Sequence, residues 1–212
     1  MNLLYLGDAL DYWKGSLFEH LQRAGLLTNF AVDAMTSDPD DWDEDHFSLY
    51  RTLLRIQPDQ LVEHKSRLPI DRSAYIKEVP RRGDLFLDPD TGIATCKVNI
   101  PSQYLTVEDV HDLLDHDGRR LLVVYQHVRA QKTRARLQRV VASLRLFPKP
   151  FSCCSYESGT VAMLFLSRTA DRVDKVVGHF EELLKDRAEK RVSLWRHMQD
   201  AEPSAAADRG RM

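Results

Sequence analysis

Residues 119–127 read RRLLVVYQH, an unbroken apolar middle between two arginines and a polar exit. A run without polar alternation is what a strand covered on both faces requires, and such strands belong to parallel sheets flanked by helices. A second segment, Asp84-Leu-Phe-Leu-Asp88-Pro-Asp90-Thr-Gly92, repeats the pattern and must stop at Asp88, because Pro89 cannot donate to a sheet ladder. Helical signals separate such strands. Thr106 opens a helix through Leu114 with Asp109 as its capping-box partner, and Lys132–Leu146 carries Leu137, Val140, Val141 and Leu144 at three- and four-residue spacing. Phe151–Ser155 and Thr160–Ser167 read as a hairpin turning at 157–159. The expectation is an α/β fold, doubly wound, with a mostly parallel sheet and a C-terminal antiparallel hairpin.

The flanks are expected as follows. Asn2–Leu6 reads as a short strand stopped by Gly7-Asp8, Gly15–Gly25 as a helix, and Leu27–Met35 as a second strand. Residues 37–46 form an acidic loop ahead of a helix at Phe47–Ile56, while 57–82 carry no pattern that places them. A long helix from Asp171 to about Met198 closes a single domain over 1–200, and 201–212 read as a disordered tail.

Composition narrows the partners. With 30 Lys+Arg against 32 Asp+Glu, the chain is neither a basic nucleic-acid coat nor an acidic tail protein. The charge is nonetheless uneven: acidic residues gather at 38–45 and basic ones at 119–145. Arg129, Lys132 and Arg134 follow the RRLLVVYQH strand and read as a phosphate-binding rim for a nucleic-acid partner. Cys153 and Cys154 are neighbours in a strand, so they point to opposite faces and read as reduced thiols. No apolar run reaches the roughly 18 residues a membrane span needs, and the expected location is cytoplasmic.

In an open parallel sheet, ligands bind beyond the carboxyl ends of the strands. Asp8, Asp88 with Asp90, and His127 are each expected at such an end. Together they would serve acid–base work, or hold Mg²⁺ or Mn²⁺ through Asp8, Asp88 and Asp90. A cation at Lys14 is mildly unfavourable near a helix N-terminus, so Lys14 reads as neutralising Asp8, as meeting a phosphate or as a plain exposed lysine, whereas Asp11 suits that position.

Asp88-Pro89-Asp90-Thr91 resembles the (Asp/Asn)-Pro-Pro-(Tyr/Phe) motif of amino-methyltransferases, with Asp90 and Thr91 replacing the second proline and the aromatic. That resemblance implies that Asp88 accepts hydrogen bonds from a target amine. Gly7-Asp8-x-x-Asp11-Tyr12-x-Lys14, Phe86-Leu-Asp-Pro-Asp90-Thr-Gly92 and Val124-Tyr-Gln-His127 together resemble an uncharacterised bacterial family with GDxxDxxK, FLDPDxG and YQH motifs. The first stretch is also similar to the Gly-Asn-x-x-Asp-x-x-Lys-His start of a 23S ribosomal RNA adenine methyltransferase family. These resemblances imply a methyltransferase-type Rossmann-like fold with catalytic Asp88, Asp90 and His127. They also imply S-adenosylmethionine held by Gly7, Asp8, Asp11, Lys14 and Asp33, the last in the expected cofactor strand, which lacks a glycine-rich turn. The leading expectation is a methyltransferase-like protein acting on nucleic acid or a phosphorylated substrate. The alternatives are a metal-dependent nuclease or phosphodiesterase using Asp8, Asp88, Asp90 and His127, and an inert partner subunit that keeps the fold.

Overall fold

In a computed structural model, residues 1–36, 39–65, 68, 70–96, 101–128 and 132–196 are described. In chain order the elements are α1 (Ala9–Arg23), β1 (Ala31–Asp33), α2 (Glu44–Leu54), α3 (Arg72–Glu78), β2 (Leu85–Leu87), β3 (Gly92–Ile93), β4 (Tyr104–Leu105), α4 (Val107–His116), β5 (Leu122–His127), α5 (Thr133–Leu144), β6 (Ser152–Ser158), β7 (Val161–Ser167), α6 (Ala170–Leu184) and β8 (Val192–Arg196). The main sheet has the order β1-β2-β5-β7-β6-β8. β1, β2 and β5 pair in parallel, and β7 runs antiparallel between β5 and β6. β3 and β4 form a separate two-stranded parallel piece.

Strand alternation sends side chains to two cores. Val32, Phe86, Val123 and Tyr125 pack with Phe18, Leu21, Leu54 and Phe180 of α1, α2 and α6. Leu85, Leu87, Leu122 and Val124 pack with Ile76, Leu113, Leu137 and Val140 of α3, α4 and α5. The sheet is thus covered on both sides, as the apolar β5 run requires. Cys154 lies in the first core and Cys153 in the second, both as free thiols.

Three expectations are corrected. Asn2–Leu6 is no strand: Leu3–Tyr5 form a single 3-10 turn capped by the Asn2 side chain, which accepts from the Leu4 N–H. The strand expected over Leu27–Met35 shortens to β1. The final helix ends at Leu184, where Lys185 takes φ 50°, and β8 then pairs with β6. No glycine or proline announces that break. The unplaced stretch 57–82 contains α3, and Leu61 makes a bridge to Val32 along the free edge of β1. The tail over 201–212 lies outside the described residues.

Gly15 sets how closely α1 approaches α2. A Cβ there would lie 2.0 Å from the Leu53 carbonyl oxygen, whereas one at Gly178 on α6 would meet nothing within 4 Å. Gly15→Ala is therefore expected to cost about 1–3 kcal/mol despite improved helix propensity. Gly178→Ala should add up to about 1 kcal/mol, and urea unfolding of the two variants reads the opposite signs.

His111 on α4 supplies a pH dependence. Its ring stacks on Phe147 with centroids 4.4 Å apart, and Nε2 lies 3.0 Å from the Leu144 carbonyl. Burial, aided by Arg168, outweighs that hydrogen bond and holds the imidazole below its ordinary 6.5. The folded state therefore binds fewer protons than the unfolded chain. The stability from this site is complete above pH 6.5 and falls as pH drops through the lowered native value. Unfolding free energies measured between pH 5 and 7.5 should show this slope, and His111→Gln should flatten it.

Candidate functional site

Lys14 forms the centre of the site. It projects from α1 and is 2% exposed, with Nζ donating to Asp11 Oδ1 at 3.0 Å and to Asp88 Oδ2 at 2.8 Å. The ammonium also lies 4.3 Å from the centre of the Tyr125 ring of β5. Tyr50 of α2 donates its hydroxyl to the same Asp88 Oδ2 at 2.9 Å. Three elements, α1, α2 and β5, therefore converge on the exit of β2. Burial pulls the Lys14 pKa down, but Asp88 and then Asp11 outweigh it, so the pKa lies above its ordinary value and the group stays charged. Burial raises the Asp11 carboxyl, against the pull of Lys14 and the Gly7 N–H. Burial, followed by the Asp88 charge, pushes the Tyr50 phenol well up, so it acts only as a neutral donor.

The remaining Asp88 oxygen, Oδ1, is buried with no hydrogen-bond partner among the described residues. Next to it, the Met1 α-amino group donates to the carbonyls of Ala34 (2.9 Å), Met35 (2.6 Å) and Asp88 (2.8 Å). The same nitrogen lies 3.0 Å from Asp90 Oδ1, an ion pair without hydrogen-bond alignment. Gly92 holds the turn that presents Asp90: its φ is 104°, and a Cβ there would lie 2.4 Å from the Gln126 side chain. Gln126 braces that turn, accepting from the Ile93 N–H and donating to the Thr91 carbonyl.

The exit of β1 forms a second polar group. Asp33 Oδ1 accepts from the Met35 N–H at 2.8 Å and from the Tyr75 hydroxyl at 2.6 Å. His64 stacks on Tyr75 with centroids 3.6 Å apart, its Nε2 3.0 Å from Asp33 Oδ2. Asp33, Phe47, Arg51, His64 and Tyr75 help line a cavity of about 450 Å³.

The expected site residues distribute unevenly. Asp11, Lys14, Asp88 and Asp90 come together, and Asp33 lies at the neighbouring strand exit. Lys14 neutralises Asp88 and Asp11 rather than Asp8. Asp8 is not at a strand end: it caps α1, accepting from the Leu10 and Asp11 N–H groups. Gly7 serves the same turn, with φ 91° and its N–H on Asp11. His127 packs edge-on against Tyr125. Among the described residues, no three His, Cys, Asp or Glu side chains are grouped to hold a metal ion, so the set Asp8, Asp88 and Asp90 does not form one cage.

The basic stretch divides as well. Lys132 and Arg134 are exposed, and Arg129 lies outside the described residues. Arg120 is buried, donating to the carbonyls of Gly83, Leu113 and Pro80, and Arg136 braces Thr95 and Ile93. Sequence reasoning missed Tyr50, His64, Tyr75 and the Met1 amine. The first and third have helical spacing as their only signal, and the amine has none.

Removing the central cation leaves two carboxylates buried against each other. Lys14→Met is expected to destabilise the fold by about 3–5 kcal/mol. Adding Asp88→Asn, which keeps an acceptor for Tyr50, should recover part of the loss. Chemical denaturation of the single and double variants measures this coupling.

No protein-family model matches the chain, and no match is found among curated proteins. Among solved structures, the crystal structure of protein LPL1258 from Legionella pneumophila, assigned to the family model DUF519, is similar at a TM-score of 0.34 and 13% identity. The similarity covers 71% of this chain and spans 64% of that protein's length.

Proposed function

We propose that the chain is a methyltransferase-like α/β protein that recognises an amine on nucleic acid or a phosphorylated compound, and that its cofactor chemistry is degenerate. The observation that carries this reading is the state of Asp88. One carboxylate oxygen is fixed by Lys14 and Tyr50, while the other is buried and has no hydrogen-bond partner among the described residues, which suits an acceptor awaiting an N–H donor. The antiparallel β7 between β5 and β6 supports the hairpin ending through which the sequence resembles the methyltransferase-type fold.

S-adenosylmethionine fits poorly beside this acceptor. Its methionyl end needs open backbone after the cofactor strand, and the segment after β1 carries no glycine-rich turn. Met35 takes φ 44° and is 1% exposed, placing a buried side chain where a glycine would leave room for a ligand. The work left to the chain's own residues is to bind an amine at Asp88 and to attract phosphates through Lys132 and Arg134, both exposed near the carboxyl end of β5.

Thermal melting with S-adenosylmethionine, with Mn²⁺ and with neither tests the degenerate half. Saturation at 100 times a dissociation constant would add about 2.7 kcal/mol, and the expected result is no such shift with either. A shift with S-adenosylmethionine that Asp33→Ala removes would overturn it. In parallel, a single-stranded oligonucleotide should bind more weakly as salt rises. The variant Lys132→Glu/Arg134→Glu should bind less and with a shallower salt slope, and unchanged binding would remove nucleic acid from the proposal.

A further inference from the structure

We propose that His20 and His179 form a metal site that staples α1 to α6 and takes a divalent ion of the nickel or copper(II) class. The site is separate from the amine-recognition reading and uses no residue at the exits of β1 and β2. The two histidines stand 159 residues apart in the chain, yet their Nε2 atoms lie 2.8 Å from each other. Their ring centres are 4.8 Å apart and the ring planes meet at 41°. Helix packing brings them there. Leu17, Phe18 and Leu21 of α1 share one core with Val176, Val177 and Phe180 of α6, and the imidazoles sit half-buried at the rim of that contact.

A hydrogen bond between two imidazoles uses one proton and one lone pair, whereas a metal ion in its place uses both lone pairs. With metal–nitrogen bonds of about 2.0–2.1 Å, two nitrogens at right angles on a square-planar or octahedral ion lie about 2.8–3.0 Å apart. A tetrahedral ion spreads them to about 3.3–3.4 Å. The observed 2.8 Å matches the right-angle arrangement, so the rings need only turn towards a shared ion. Imidazole is also a donor that nickel and copper take readily, while Mg²⁺ and Mn²⁺ favour oxygen. The neighbouring charge suits a cation. Glu182, one turn beyond His179, acts on that imidazole as a negative charge, and Glu19 beside His20 is paired with Arg23 and Arg55. Among the described residues no third His, Cys, Asp or Glu is grouped with the pair, so water completes the coordination. Two protein ligands make an exchangeable link between helices, and α1 is the helix that carries Lys14.

Isothermal titration calorimetry of the intact protein with NiCl₂ tests the site, with MgCl₂ as the oxygen-preferring control. One equivalent of Ni²⁺ should bind, and Mg²⁺ should give no heat. His20→Gln and His179→Gln should each weaken Ni²⁺ binding by about 100-fold, because the second bond of a chelate forms within the molecule. The double variant should lose little more than either single one, since both singles break the same chelate. Saturating Ni²⁺ should raise the melting temperature of the wild-type protein and leave that of each variant in place. A second readout needs no variant: substoichiometric Cu²⁺ should broaden the ring-proton NMR signals of His20 and His179 before those of the other histidines. Equal Ni²⁺ binding by the wild type and the single variants, no Ni²⁺ binding at all, or Cu²⁺ broadening that starts at another histidine would each overturn the proposal. Neither S-adenosylmethionine nor Mn²⁺ enters these readouts, so they stand apart from the fate of the proposed function.

Discussion

The rest of the site depends on one buried cation. Lys14 draws Asp11 of its own helix and Asp88 of the central sheet onto a single nitrogen, and Tyr50 completes the Asp88 shell from a second helix. Water could not serve these charges at this depth, so each exists only because the others do. The clamp therefore ties helix placement to site electrostatics: a shift of α1 against the sheet would leave Asp88 charged and unpaired. It also fixes which Asp88 oxygen remains available. The close approach of α1 and α2 at Gly15 brings Lys14 and Tyr50 to the same carboxylate.

The two adjacent parallel strands end in carboxylates with different surroundings. Asp33 is wrapped by Tyr75, the Met35 N–H and the His64 ring, and borders the cavity. Asp88 and Asp90 border the ammonium between the strands. Parallel pairing of β1 with β2 sets these exits side by side, which is why one nitrogen can reach carbonyls from both.

What the sequence revealed was what its local pattern encodes. β5 and α5 are legible because an unbroken apolar run and a three-to-four spacing have few other uses. The hairpin is legible from its β-rich arms around Gly159. The 3-10 turn at Leu3–Tyr5 is misread because its apolar residues look like a buried strand, although Asn2 and Asp8 are the side chains that cap the turn and the helix after it. β8 is misread because Lys185–Lys190 is built from good helix formers, and the break rests on one left-handed lysine. Asp88, Asp90, Asp11 and Lys14 were legible as chemistry, but their partners were not: no spacing links Lys14 to residue 88, or Tyr50 to either. Nothing in a one-dimensional pattern marks a chain's first amine as a ligand for carbonyls at residues 34, 35 and 88.

The neighbouring thiols of β6 carry a consequence of their own. Cys153 faces the layer of α3, α4 and α5, and Cys154 the layer of α1, α2 and α6. Burial pushes both thiols far up, so neither reacts while its own layer is closed. Two adjacent residues thus form a pair of native reporters, one for each side of the sheet. The order in which an alkylating reagent reaches them tells which half of the molecule breathes first.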